Sequence, residues 1–486
     1  MTRLASAAAG IALALGTAAC FDDGITGIND NPNAPTEVQP QFLFPQGTTA
    51  AVSLVRGSGF DLTFTGLWSQ YYAKVQYVDE DWYQIRPATI DAWWSAFYSG
   101  GLEDLQTAIE QAGDRGGLAG PALVMRAWTV GAMTDIWGDI PFTEALQGEN
   151  GTFTPVYDPQ KVVYDSILTS LKTAAELLPG EQDYGNADPI YGGDNEKWEL
   201  FANSLRARYG MRLSKVDPER AKAEVAAAVA AGVFTSNAQD AQLDWPGDGQ
   251  NDNGWYNNFK TRDDHRVSKA ILDTLASLSD PRIEVYAQPT AGLAGACAAG
   301  EYVGLPNGLS TPSALAYAGN GLACTSKLGE IYYEATTPYY LMTYAEVLFI
   351  QAEAAERGWI SGSAADFYQK GIAAAMQQYG VAQADIDTYL AQARVAYKGG
   401  QAGLDQIALQ KWIALFGQGV EGWSEWRRTG VPNLTPVPEA KTTPKVVARR
   451  LQYPTSEQSF NPTNQAAAEA NQGGASMTDR VWWDKQ

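Results

Sequence analysis

Three cysteines and one histidine in 486 residues leave too few sulfur and nitrogen ligands for a zinc or iron centre. Positive charge is also scarce. Lys and Arg number 34 against 55 Asp and Glu, a formal net charge of −21. Tracking a phosphate backbone needs clustered cations, so the balance argues against nucleic acid and against a polybasic membrane patch. No glycine loop that would cradle a phosphate is evident. His265 stands in "TRDDHRVSK" with Asp264 and Ser268 beside it, but nothing nearby resembles a nucleophile elbow. "DWPGDGQNDNG" is rich in Asp and Asn, yet with Asp248 as the first position Gln250 at the third, and a misplaced glycine, break the helix–loop–helix calcium pattern. Counting alone does not reject a two-carboxylate glycosidase, because acids are spread along the whole chain.

What remains is apolar, aromatic and helical. Hydrophobic residues make up 45% and charged residues 18%, the composition of an ordered globular chain. "MTRLASAAAGIALALGTAAC" has a basic start, then an apolar run through Leu15 that is too short to span a bilayer. Small residues before Cys20 resemble a bacterial lipoprotein signal, with Thr17 where leucine is usual. On that reading residues 1–19 are removed and Cys20 is acylated. Each buried acyl methylene adds about 0.8 kcal/mol to anchoring. Asp22 and Asp23 then resemble the acidic export tag of surface lipoproteins in the Bacteroidetes. Residues 20–40 read as a linker and 41–486 as a single domain. Cys297 and Cys324 are left over; in an oxidising compartment they are expected to pair. Closing that loop stabilises by about 3–4 kcal/mol in the chain-entropy model.

The apolar spacing predicts an all-α fold of helical hairpins, tetratricopeptide-like, with long irregular loops carrying the binding face. "PALVMRAWTVGAMTDIW" is expected to start at Pro121 and stop before Gly138. "NEKWELFANSLRARYGMRLSKVDPERAKAEVAAAVAAGVF" reads as two helices broken at Asp217-Pro218, and "TYAEVLFIQAEAAERGW" with "SAADFYQKGIAAAMQQYG" as another pair. One helix is expected from Gln410 to Thr429. On it Trp412, Phe416, Trp423 and Trp426 share a face, Arg427 stacks on Trp423, and Glu425 pairs with Arg428. Its three glycines, Gly417, Gly419 and Gly422, should mark the close approach of another segment.

"KWIALFGQGVEGWSEWRRTGVPNL", "RRLQYPTSEQSFN" and the terminal "VWWDK" resemble the SusD/RagB family. So do "DIWGDIPFTEAL", "PVYDPQKVVYDSIL", "RVSKAILDTLASLSDPRIEVYAQP" and "MTYAEVLFIQAEAAERGW", in the family's order. The resemblance implies a lipid-anchored protein on the outer face of the outer membrane. It implies a non-enzymatic role, without cofactor: capturing an oligosaccharide, or in some members a peptide, for a SusC-like TonB-dependent β-barrel transporter. A secreted glycan-degrading enzyme and a non-catalytic scaffold or adhesin are the rivals. The family carries no binding motif that transfers residue by residue.

A sugar offers flat C–H faces and many hydroxyls, so rings mixed with Asp and Asn suit it. Trp82 and Tyr83 in "KVQYVDEDWYQIR" have that setting, as do Trp245, Trp255 and Tyr256 in "LDWPGDGQNDNGWYNNFK"; Tyr302 is a third candidate. From sequence alone, Trp423→Ala is expected to lower stability by about 3–5 kcal/mol as a buried ring. Trp255→Ala is expected to spare stability and weaken ligand binding. Urea melts and a binding titration on both variants separate core from pocket.

Overall fold

Helix boundaries follow local chemistry. In the computed structural model, residues 38–484 are described; the leader, Cys20 and most of the linker lie outside them. From Pro40 onward the chain is one compact unit. The helices that build it are α1 (Pro40–Arg56), α2 (Pro87–Ala96), α3 (Glu103–Ala112), α4 (Gly116–Trp137), α5 (Gln160–Leu177), α6 (Asn195–Arg212), α7 (Pro218–Ala231), α8 (Tyr344–Glu356), α9 (Ala364–Gln377), α10 (Gly400–Ala414) and α11 (Gly419–Thr429). Asp217 caps α7 by accepting the Arg220 N–H, with Pro218 at the first helical position. Ser363 caps α9 and Thr343 caps α8 in the same way. The break at Asp217-Pro218 is where the sequence places it.

Consecutive helices pack as antiparallel pairs. α4 lies on α5, α5 on α6, α6 on α7, and α8 on α9, while α10 covers α8. This is the helical-hairpin stacking expected, and the fold is all-α. Among the described residues, strand is confined to three short antiparallel ladders: β1 (Tyr72–Lys74), β2 (Ile140–Pro141), β3 (Tyr157–Asp158), β4 (Ala241–Leu243), β5 (His265–Val267) and β6 (Tyr339–Met342). β1 pairs with β5, β2 with β3, and β4 with β6. The ladders tie loops to the scaffold rather than form a layer of their own. The long irregular segments carry short helices too, including Gly254–Phe259, Thr311–Ala316 and Pro462–Asn471.

Two boundaries differ from expectation. α4 begins at Gly116, not at Pro121, so the proline lies inside the helix. Gly117 and Gly120 explain the earlier start. A Cβ on either would collide with the 177–182 turn, at Gln182 O (1.8 Å) and Leu178 Cγ (2.6 Å) respectively. The helix expected over Gln410–Thr429 is two helices, α10 and α11, separated at Leu415–Gln418. Gly417 has φ +79°, a left-handed conformation that ends α10. Gly419 then opens α11 by donating its N–H to Asp61 Oδ1 (3.0 Å). A side chain there would sit 2.4 Å from that oxygen, and one at Gly422 would sit 2.3 Å from the Tyr71 hydroxyl. Those two glycines are the close approach foreseen; Gly417 is a turn.

α11 is the hub. Trp423 is fully buried against Phe64 and Trp68, and the Arg427 guanidinium lies 3.7 Å over its ring and 4.7 Å over Trp483. Arg428 bridges Glu353 of α8 (2.6 Å) and Glu425 (2.6 Å). Lys411 of α10 also pairs with Glu425 (3.1 Å). Arg212 of α6 pairs with Glu421 (2.6 Å) and approaches Asp135 of α4 (3.5 Å), and Arg208 pairs with Glu346 of α8. All of these charges are buried.

Burial pushes Glu353 and Glu421 up, but neighbouring guanidinium groups outweigh it and hold both carboxyls below their usual range. A depressed carboxylate contributes stability above its unfolded pKa and loses it as pH falls through the folded value. Stability to urea should therefore drop as pH falls below about 4. At neutral pH Arg428→Met leaves Glu353 and Glu425 short of a partner and should cost about 3–5 kcal/mol. Equilibrium urea unfolding at several pH values measures both.

Candidate ligand-binding clefts

The loop after β4 turns over the end of α1. Asp248 stabilises that turn by accepting the N–H groups of Gln250 (2.9 Å) and Asn251 (2.7 Å). Asn253 caps the next short helix, accepting from the Trp255 N–H (2.7 Å). The Tyr339 hydroxyl of β6 accepts the Gly254 N–H (2.9 Å), so the loop is pinned to the β4–β6 ladder. At the end of α1 the backbone widens into a π-helical turn, Ser58–Thr65.

Between loop and turn lies a cleft of about 230 Å³. Phe60, Trp93, Trp245 and Tyr339 line it with Ser53, Ser58 and Asp252. Trp245 stands edge-on to Tyr339 at 5.6 Å, and Phe60 edge-on to Trp93 at 4.7 Å. Lys260 and the Gly249 N–H donate to Asp252 (3.0 and 2.9 Å) and hold its carboxyl below the usual range. It is an anionic acceptor at neutral pH. The Trp245 indole N–H is buried and makes no hydrogen bond among the described residues. A buried donor left unpaired costs about 1–3 kcal/mol, which a ligand hydroxyl or a water would relieve.

A smaller cavity of about 30 Å³ shares Tyr339 with the cleft and is walled by Trp255, Tyr332, Tyr379 and Phe416. Trp255 is only 4% exposed. Its N–H donates to Arg56 O (2.8 Å), and its ring packs edge-on to Tyr72. The sequence reading of Trp255 as a ring that spares stability is corrected by that burial.

The other candidate rings do not line this cleft. Trp82 is half-buried, donates to Leu309 O (3.3 Å), and has the Lys441 ammonium 4.7 Å over its face. Tyr83 is buried against Trp68. Tyr256 is half-buried with Lys260 4.2 Å over its ring. Tyr302, half-buried against the main core, belongs to the loop closed by Cys297 and Cys324, which are joined with Cα atoms 5.8 Å apart.

Sequence reasoning did not single out Phe60, Trp93 and Tyr339, which lie on the π-helical turn, α2 and β6. It also missed Tyr77, 57% exposed, at φ +56° and stacked under Arg262. An unusual backbone at an exposed ring is visible only in three dimensions. Among the described residues no group of three or more His, Cys, Asp or Glu is placed to hold a metal ion, and no helix is long and apolar enough to cross a membrane.

Fold and cleft together define a helical-repeat scaffold that carries aromatic, loop-walled clefts. The family model described as "Starch-binding associating with outer membrane" matches residues 32–454, and the chain belongs to this SusD-like family. Solved structures agree. A chitin-binding protein is 29% identical, covers 91% of this chain and 100% of its own, and superposes with a TM-score of 0.81. A chitin-binding SusD homologue from Flavobacterium johnsoniae is 26% identical, covering 91% and 99%, with a TM-score of 0.79. A SusD homologue from Bacteroides ovatus is 26% identical, covering 92% and 99%, with a TM-score of 0.80. No curated protein matches the chain.

Two substitutions now separate wall from core. Trp255→Ala is expected to lower stability by about 3–5 kcal/mol. Trp245→Ala, at a half-buried ring, is expected to cost about 1–2 kcal/mol and to weaken ligand binding at least tenfold. Urea unfolding and a titration with oligosaccharide check both.

Proposed function

We propose that the protein is a surface glycan-binding lipoprotein. It captures an oligosaccharide without cleaving it and passes it to a SusC-like TonB-dependent β-barrel transporter. The cleft between Trp93, Trp245 and Tyr339 carries this reading: rings for sugar faces, with Ser53, Ser58 and Asp252 for hydroxyls. Trp82, Tyr256, Tyr302 and Tyr77 are further candidate contacts on the loops. In this reading Cys20 bears the lipid and the binding face looks away from the membrane.

The two chitin-binding structural relatives favour β-linked N-acetylglucosamine chains as the first ligands to try. The family description favours starch fragments as the second. The expected result is a saturable heat of binding with one of the two series and unchanged oligosaccharide lengths after long incubation. Shortened products would establish a hydrolase. Binding of neither series, with binding of peptides, would move the substrate class. Mild detergent extraction should co-purify a large β-barrel protein; recovery of the chain alone would count against the transporter.

A further inference from the structure

Arg126 stands out among the arginines of the described residues. Arg56, Arg206, Arg208, Arg212, Arg220, Arg266, Arg282, Arg357, Arg428, Arg449 and Arg480 each have a carboxylate partner. Arg115, Arg394, Arg427 and Arg450 donate to carbonyl groups. Arg86 and Arg262 are exposed. Arg126, on α4, is half-buried, yet among the described residues it makes neither a hydrogen bond nor an ion pair. The Phe142 ring lies 4.8 Å from its guanidinium carbon. Burial lowers its pKa, and only the field of Glu110 opposes that.

The guanidinium borders a pocket of about 110 Å³ between α3, α4 and the turn after β2. Gln106, Thr143, Ala145, Leu146 and Gln147 also line it. Two of these polar groups are already engaged: Gln106 donates to Glu110 (2.7 Å), and the Thr143 hydroxyl donates to Asp158 (2.9 Å). The rest are free. The Gln147 amide oxygen accepts from Asn150 (2.6 Å), which leaves its N–H groups available. The backbone N–H groups of Ala145 and Leu146 have no partner among the described residues. The pocket therefore gathers a forked cation and several donors, with no anion in contact. In a chain of net charge −21 carboxylates are plentiful; those beside this pocket, Glu110 and Asp158, are bound to Gln106 and Thr143, and neither pairs with Arg126.

We infer that this pocket binds a small oxyanion, a carboxylate or a sulfate-type group, held by the Arg126 fork with the Gln147 amide and the 145–146 backbone as further donors. The guanidinium geometry matches both kinds of group. The volume suits such a group, since a cavity of about 10–15 Å³ on the same measure already admits one water. The natural source is either an acidic sugar or a sulfated one. The pocket shares no lining residue with the Trp245 cleft, so the inference stands apart from the proposed capture of neutral glycans.

The test uses the purified mature chain, Arg126→Gln and Arg126→Lys. Thermal unfolding is followed while sodium sulfate, or sodium glucuronate, replaces sodium chloride at constant ionic strength. The wild type should show a saturable rise in Tm with one or both anions. In Arg126→Gln the apparent affinity should fall at least tenfold, with Arg126→Lys between the two. Without anion, Arg126→Gln should melt no lower than wild type, because an unpaired half-buried charge has gone. A response to glucuronate alone assigns the site to carboxylates, and one to sulfate alone to sulfate groups. No saturable response in the wild type, or the same titration in Arg126→Gln, overturns the inference. Trp245→Ala should leave the anion titration unchanged.

Discussion

The buried ion network around α11 is the constraint on which the rest of the structure depends. Arg428, Glu425 and Glu421 project from one short helix and reach α8, α10, α6 and, through Arg212, α4. Desolvating so many charges is costly, and each repays it only with its partners in place. The helices must therefore dock in one arrangement. Trp423, Trp483 and the guanidinium of Arg427 between them add a dry wall to the same junction. Trp483 ties the C-terminal segment into it by donating to Asp135 (2.8 Å).

A scaffold held this firmly can support long segments that have little structure of their own. The 244–264 loop is pinned at Asn253, Gly254 and Tyr339, and its Asp252 is held by Lys260. The loop between Cys297 and Cys324 is closed covalently. Each pin fixes the backbone of its loop, so under the proposed function a ligand would meet a wall that is already formed. That lowers the ordering cost of binding. Both clefts share Tyr339, whose strand is an edge of the scaffold itself.

The helical scaffold was largely legible, because its signals are local. The break at Asp217-Pro218 and the helical stretches that became α6, α7, α8 and α9 are all read within a few positions. The stacking of Arg427 on Trp423 is likewise a helix-spacing fact. What was not legible depends on distant segments. Gly419 meets Asp61 across 358 positions, and that contact splits the helix expected over Gln410–Thr429. Trp255 sits in a polar, turn-rich stretch that reads as exposed, yet Arg56 O, 199 positions away, accepts its N–H and buries it. Trp93 and Tyr339 carry no local signal of a site; tertiary packing brings them to a cleft. Composition names the kinds of residue that bind sugar; only docking decides which of them face it.

Native-state hydrogen exchange tests the central claim most directly, that a rigid charge-locked scaffold carries separately ordered binding loops. Amides of α6, α8, α10 and α11 are expected to exchange only through global unfolding, and amides of 244–264 faster by local opening. A bound oligosaccharide should slow the loop while leaving its helices' ranking unchanged. Helical amides around Arg428 that exchange as fast as the loop, or a ligand that protects α11 and not the loop, would contradict the account.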